Sequence, residues 1–282
     1  MPAFDTPQPI TATVDVILGD VRISAAERDT TVVEVRPSDS TNKEDVEAAE
    51  QTRVEFAAGR LLVKAPKLRS WLPRHTGGSV DVTIELPAGS QLHGTAQMAD
   101  VFCEGDFGDC RLRLGIGQIR LERAGKLDLK SGAGDIEVDH AAGHADITVG
   151  SGEVRVRELG SSAVIKNSNG DTYVGDASGE LRIKSANGSI AVDHSHAGVV
   201  AKTANGDVRV GAIANGTVVL ETQIGDIEAG IREGTAAWLD VSATAGRVHN
   251  ALDGSSAPDP STEKVELRAR TSLGNIEIRR AR

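Results

Sequence analysis

The chain has 282 residues and a net charge of −10, with acidic side chains spread along its whole length. No basic stripe offers a footprint for a phosphate backbone, so nucleic acid is excluded as the expected partner. One Tyr, two Trp and four Phe stand against 31 glycines, which predicts a narrow interior packed with Val, Ile, Leu and Ala.

The N-terminus, "MPAFDTPQPITATVDV", has neither a basic n-region nor an apolar h-region and does not read as a signal peptide. No apolar run is long enough to span a bilayer. The expected location is the cytoplasm, with the cell surface as the alternative.

Residues 1–92 read as irregular. "TVDVILGDVRISA" is two strand pieces around a Gly19-Asp20 turn, and "TVVEVRP" is a further strand. "TNKEDVEAAEQ" opens with Thr41 and Asn42, suited to start a helix, and continues in helix formers through Gln51. "GRLLVKAPK" and "SVDVTIELP" are strands. The expectation is a β-rich N-terminal cap, 1–92, whose short helix plugs the first coil of a repeat domain, 93–282.

From Ala99 onward the chain repeats. "GDIEV" at Gly134 recurs as "GQIRL" at Gly117, "GEVRV" at Gly152, "GDTYV" at Gly170, "GSIAV" at Gly188, "GDVRV" at Gly206, "GDIEA" at Gly225, "GRVHN" at Gly246 and "GNIEI" at Gly274, mostly 17–19 residues apart. A second glycine series, including Gly108, Gly125, Gly143, Gly160, Gly179 and Gly198, runs half a repeat out of phase. Each unit of about 18 residues thus holds two turns, both expected to need the positive φ that glycine tolerates. Counted from the first glycine, positions +2 and +4 (Ile136 and Val138; Val208 and Val210) and positions −5 and −7 (Leu129 and Leu127; Ile183 and Leu181) are apolar. Period-two alternation predicts two half-buried strands per coil. Position −3 is mainly small and polar (Ser131, Asn167, Ser185, Thr203, Thr222, Thr271) and on the core parity, so these side chains are expected to hydrogen-bond between coils at the corner.

One such coil leaves its strand edges unpaired and its apolar face open. Stacking coils at about 4.8 Å repairs both. The fold class is therefore all-β, a parallel β-solenoid of about ten coils with two strands per coil and a β-rich N-terminal cap. Near the C-terminus "DGSSAPDPSTE" reads as a surface loop, and "VELRARTSLGNIEI" adds a final coil.

Site chemistry is sparse. The Gly-Asp pairs lack the fixed carboxylate spacing that a calcium-binding β-roll needs in both turns. Gly-x-Gly is followed by strands rather than by the helix of a dinucleotide loop. His140 and His194 fall three coils apart, about 14 Å, too far to share a metal. His194 and His196 share a turn without a third ligand, and His75, His93, His144 and His249 read as surface residues. Cys103 and Cys110 point inward and are expected as free thiols. No outward cluster of carboxylates breaks the repeat, so no enzyme, metal or cofactor is expected.

One surface feature stands out. Lys130, Lys166, Lys184 and Lys202 occupy position −4, with Thr148 completing the column; Asp135, Glu153, Asp171, Asp207 and Asp226 occupy position +1. Stacking turns each set into a column on one edge. The acids are expected to lie beside the lysines and relieve their repulsion. Lys130, Lys166, Lys184, Lys202, Asp135, Asp171 and Asp207 are the candidate binding ladder, its partner an anionic polymer or another protein.

"DVTIELPAGSQL", the serial "GDIEV" and "TANGDVRV" units and the closing "ELRARTSLGNIEIRRA" carry a resemblance over nearly the whole chain. It resembles the bacterial putative-adhesin family of β-strand-repeat proteins, a domain of unknown function, and its actinobacterial type in particular. The resemblance implies a β-solenoid, no established catalytic residues and an adhesin label. The function expected is non-enzymatic binding or scaffolding through the solenoid faces. The alternatives are an adhesin displayed on the envelope by a non-standard export route and a polysaccharide-active β-helix enzyme.

Overall fold

In the computed structural model, which describes residues 2–66, 78–252 and 263–281, the alternating segments form the expected all-β parallel solenoid. His75 and most of the loop at 253–263 lie outside the described residues. The chain divides into two compact units, Met1–Asp139 and His140–Arg282.

The second unit shows the repeat most plainly. Strands Ala145–Ser151, Ala163–Asn169, Leu181–Asn187, Val199–Lys202 and Gly216–Ile224 build one wall, and Val154–Leu159, Thr172–Ala177, Ile190–Ser195, Val208–Ile213 and Ile227–Ile231 the other. Every neighbouring pair is parallel, and the register is unbroken except past Val210, where Val208–Ile213 shifts against Ile227–Ile231, so Ile147, Ile165, Ile183, Ala201 and Leu220 form one inward column. Each of these five is 0% exposed. Val156, Val174, Val192, Val210 and Ala229 face them from the other wall, equally buried. A fully buried Val, Leu or Ile contributes about 1.5–3 kcal/mol, so a thin core of branched aliphatics holds the walls together without aromatic rings.

The corner glycines of the first series have a specific cause. Gly206 sits at φ +139°, and a Cβ there would lie 2.2 Å from the carbonyl oxygen of Gly188 in the coil below. That carbonyl points into the corner, and the −3 side chain of a neighbouring coil meets it. Thr203 Oγ1 donates to Gly188 at 3.0 Å, and Thr222 Oγ1 donates to Gly206 at 2.9 Å. Asn167 and Thr271 make the same kind of bond, to the Gly152 and Gly225 carbonyls, so the expected inter-coil bonds of position −3 are present at these residues, whereas the Ser185 hydroxyl is buried without a partner among the described residues. In the second glycine series Gly216 and Gly234 are at the expected positive φ, +97° and +81°, but other members have a different cause. Gly160, Gly179 and Gly198 are not at positive φ; at Gly179 a Cβ would meet the Ser161 carbonyl carbon at 2.5 Å. Close approach of stacked backbones, not handedness, requires glycine there.

In the first unit, Thr11–Ala26 runs through a full coil, pairing in parallel with Gln91–Phe107 on one side and with Arg60–Lys64 and Val80–Pro87 on the other. The coil that comes first in sequence is thus an interior rung. The outer edges are covered by antiparallel strands: Arg53–Ala57 on Arg60–Lys64, Thr30–Pro37 on Val80–Pro87, and Ala3–Asp5 on Thr30–Pro37. Covering an edge this way removes a template for unwanted pairing. The helix Lys43–Gln51 is capped by the Asn42 side chain, which accepts from the Glu44 amide at 3.0 Å. Its buried Asp45 accepts from the amides of Ser79 at 2.9 Å and Asp39 at 3.1 Å, which fastens the helix to the chain on both sides of it.

The C-terminal end repeats this interleaving and corrects one expectation. The coil 264–280 is last in sequence but not last in space. Lys264–Leu273 pairs with Gly216–Ile224 on one side and Ala236–Ala245 on the other. Ile276–Arg280 likewise lies between Ile227–Ile231 and Val248–Asn250. Coil 236–250, not coil 264–280, ends the stack of this unit among the described residues.

Candidate functional site: a lysine-lined corner groove

In the second unit the −4 residues form the expected outward column, in the order Thr148, Lys166, Lys184, Lys202, Glu221, Arg270 and Ser242. Parallel in-register pairing sets their Cα atoms about 4.8 Å apart. The column does not carry one charge throughout. Lys202 Nζ lies 2.7 Å from Glu221 Oε2, and Arg270 Nη2 lies 3.3 Å from Asp240 Oδ2. Lys166 and Lys184 are adjacent and exposed, and make no ion pair among the described residues.

Lys184 and Lys202 border an open groove of about 940 Å³ that continues over Thr222, Gln223, Ser242 and Ser272. Its lining is mainly hydroxyl, amide and charge, the carboxylates of Glu221 and Asp240 included, with no aromatic ring. In the first unit, Lys130 follows Arg113 and Thr95 in the matching column. There the charge is answered locally: Lys130 and Arg113 both lie 3.7 Å from Asp128, and Arg111 lies 3.1 Å from it.

The structure places three of the +1 acids on backbone duty, while Glu153 pairs with the Arg155 side chain. Asp171 Oδ1 accepts from the Ser189 amide at 2.7 Å, Asp207 Oδ1 from the Asp226 amide at 2.8 Å, and Asp226 Oδ1 from the Asn275 amide at 2.6 Å. Each carboxylate stitches its coil to the next. Among the described residues, no ion pair joins a lysine of the second unit's column to Asp171 or Asp207. Asp135 occupies the same position in the first unit, one residue after Gly134.

A polar ladder at position −1 escaped the sequence reading. Asn187 Nδ2 donates to Asn169 Oδ1 at 2.9 Å, and Asn205 Nδ2 donates to Asn187 Oδ1 at 2.8 Å. The signal was present in "SNGD", "ANGS" and "ANGD", where Asn directly precedes the corner glycine.

The remaining reactive groups are accounted for by ordinary contacts. His140 pairs with Glu158 at 3.3 Å, His196 with Asp176 at 3.2 Å, and His144 with Ser162 at 2.9 Å. Among the described residues, no three metal-ligating side chains gather. Cys103 and Cys110 are free and buried. Burial, reinforced by the nearby Asp109 charge, pushes the Cys110 thiol up to about 12, and burial raises Cys103 as well. Neither is a ready nucleophile. No described helix is long and apolar enough to cross a membrane.

A family model described as Toastrack DUF4097 matches residues 12–279. No curated protein matches the chain. Two solved structures align with nearly all of it. One is a putative adhesin from Bacteroides fragilis, 12% identical, covering 98% of this chain and 95% of that one at a TM-score of 0.43. The other is a putative cell adhesion protein from Clostridium sporogenes, also 12% identical, covering 99% and 98% at a TM-score of 0.24.

Proposed function

The chain belongs to the Toastrack DUF4097 family, and from that premise we propose that it is a non-enzymatic binding or scaffold module that takes a carboxylate-bearing linear polymer along the lysine-lined groove of its second unit. The observation that carries this reading is the pair Lys184, on the groove wall, and Lys166, one coil beyond the groove's lining, stacked with no acidic partner among the described residues. Two ammonium groups held on neighbouring rungs repel one another, by about 1 kcal/mol at 4 Å in water. An anion laid across both relieves that repulsion.

The groove's other features fit the same class of ligand. Lysine acts as a compact point charge rather than as a planar fork, so it accepts carboxylates in varied orientations. Ser242, Ser272 and Gln223 offer neutral polar groups to a hydroxylated or amide-bearing backbone. The lining has no aromatic platform on which a nucleobase would stack. Lys166 and Lys184 occupy neighbouring rungs in the same register, so a linear ligand meets two like contacts, and weak contacts add through multivalency.

The test uses fluorescent polygalacturonate and poly-glutamate, two sources of the same carboxylate chemistry. Binding to the full chain should weaken with added salt, because exposed charges are screened. Lys166→Glu/Lys184→Glu should weaken it about tenfold or more, or 1.4 kcal/mol. Lys43→Glu/Lys126→Glu, outside the groove, should leave it unchanged. Equal binding by both double variants would overturn the assignment.

A further inference from the structure

We propose that the coil 264–280 is an exchangeable element, and that it inserts into the same slot of a second copy of this chain, so that two chains assemble by reciprocal coil exchange.

The slot is formed by two coils that are consecutive in sequence. Coil 216–231 leads to coil 236–250 through residues 232–235 alone, yet coil 264–280 separates them in space. Leu267 sits between Val218 and Leu239, Ala269 between Leu220 and Val241, and Ile276 between Ile227 and Val248. The two flanking coils therefore carry the same inward register. They are able to stack directly on each other, as other consecutive coils of this unit do: Leu159 and Ala163 are joined through 160–162. Withdrawal of the last coil leaves two complementary edges that close on one another rather than an unfillable gap. The same sequence thus has two closed arrangements, which is the requirement for a bistable element.

The contacts of the inserted coil do not depend on which chain supplies it. Val265, Leu267, Ala269, Ile276 and Ile278 are at most 2% exposed, and a partner's copy would bury the same surface. The balance between internal and exchanged insertion is then set by effective concentration through the thirteen-residue connection 251–263, and so by protein concentration. A polar latch fastens the coil in its slot, whichever chain supplies it. Arg280 Nη1 donates to the carbonyls of Arg232 at 3.1 Å and Thr235 at 3.0 Å, the two ends of the link that spans the inserted coil.

The test uses the full chain carrying Val219→Cys and Arg268→Cys. These positions are outward register partners across the slot, close enough for a disulfide. Reduced protein, concentrated in mild denaturant and returned to native buffer, should yield a dimer. Isolated, diluted and oxidised, that dimer should carry interchain disulfides, while monomer should carry an intrachain one. Protein oxidised beforehand should stay monomeric. A dimer that forms as readily from the pre-oxidised protein, or that lacks interchain disulfides, would overturn the proposal. So would the absence of any dimer from the reduced protein across the concentration range.

Discussion

Asn187 donates its side-chain amide to the Asn169 carbonyl oxygen across 2.9 Å, from the coil above to the coil below. Asn205 repeats the contact on Asn187 at 2.8 Å, so one residue is both donor and acceptor in a column. Asn187→Ala removes both bonds and should cost about 1 kcal/mol, since the groups left behind are exposed and recover water. Asn187→Asp keeps the acceptor for Asn205 but sets a carboxylate against Asn169 Oδ1. Its loss should exceed that of the alanine variant at pH 7 and shrink below the carboxylate range, near pH 4. Urea midpoints at the two pH values check both statements.

Gly206 and Gly59 make a controlled pair. Both are at positive φ, +139° and +72°, but only Gly206 has backbone in the space a Cβ would fill; at Gly59 nothing lies within 4 Å. Gly59→Ala should cost about 1 kcal/mol, the conformational penalty alone. Gly206→Ala adds displacement of the Gly188 carbonyl and should cost about 2–5 kcal/mol. Similar losses at both sites would show that the coils tolerate separation at the corner.

Thr203 tests the corner carbonyls. Thr203→Val keeps the shape and removes the donor that meets the Gly188 carbonyl at 3.0 Å. A part-buried acceptor left unmet should cost about 1–3 kcal/mol by thermal or denaturant unfolding. Thr203→Ser should recover most of it.

The buried thiols make a prediction about pH. Folding raises Cys110 from the ordinary 9.0 to about 12 and raises Cys103 in the same direction. In that window the folded state holds protons that the unfolded chain has released, so unfolding is favoured as pH rises. The contribution is fully present below pH 9 and is lost between 9 and about 12. Cys103→Ala/Cys110→Ala should therefore flatten the fall of stability over that range. Thiol reagents at pH 8 should label the native protein slowly and the unfolded protein fast; rapid native labelling would contradict the burial.

Local patterning carried much of the fold. Ile147, Ile165 and Ile183 could be placed in one column from their spacing alone, because period two and an 18-residue repeat leave a single inward register. The bonds of Thr203 and Thr222 followed from their parity. The order of coils in space did not follow. Coil 264–280 has the same inward register as coil 236–250, so stacking after it or before it buries equivalent residues, and nothing in a repeat distinguishes the two. Thr11–Ala26 is an interior rung for the same reason, marked only by Gly19. At the candidate site the lysine column was legible, because its residues share a repeat position. The direction taken by the acids was not. Asp171 and Asp207 lie one residue past a corner, where the amide of the next coil is nearer than any ammonium group, a fact of three-dimensional turn geometry that residue type does not reveal.

Lysine footprinting tests the central claim without altering the protein. An amine-reactive reagent should label Lys166 and Lys184 readily in the free chain, since both are exposed. With saturating polygalacturonate, mass spectrometry should show those two strongly protected and Lys43 and Lys126 labelled as before. Uniform labelling of all four with polymer bound, or protection confined to Lys43 and Lys126, would contradict the account.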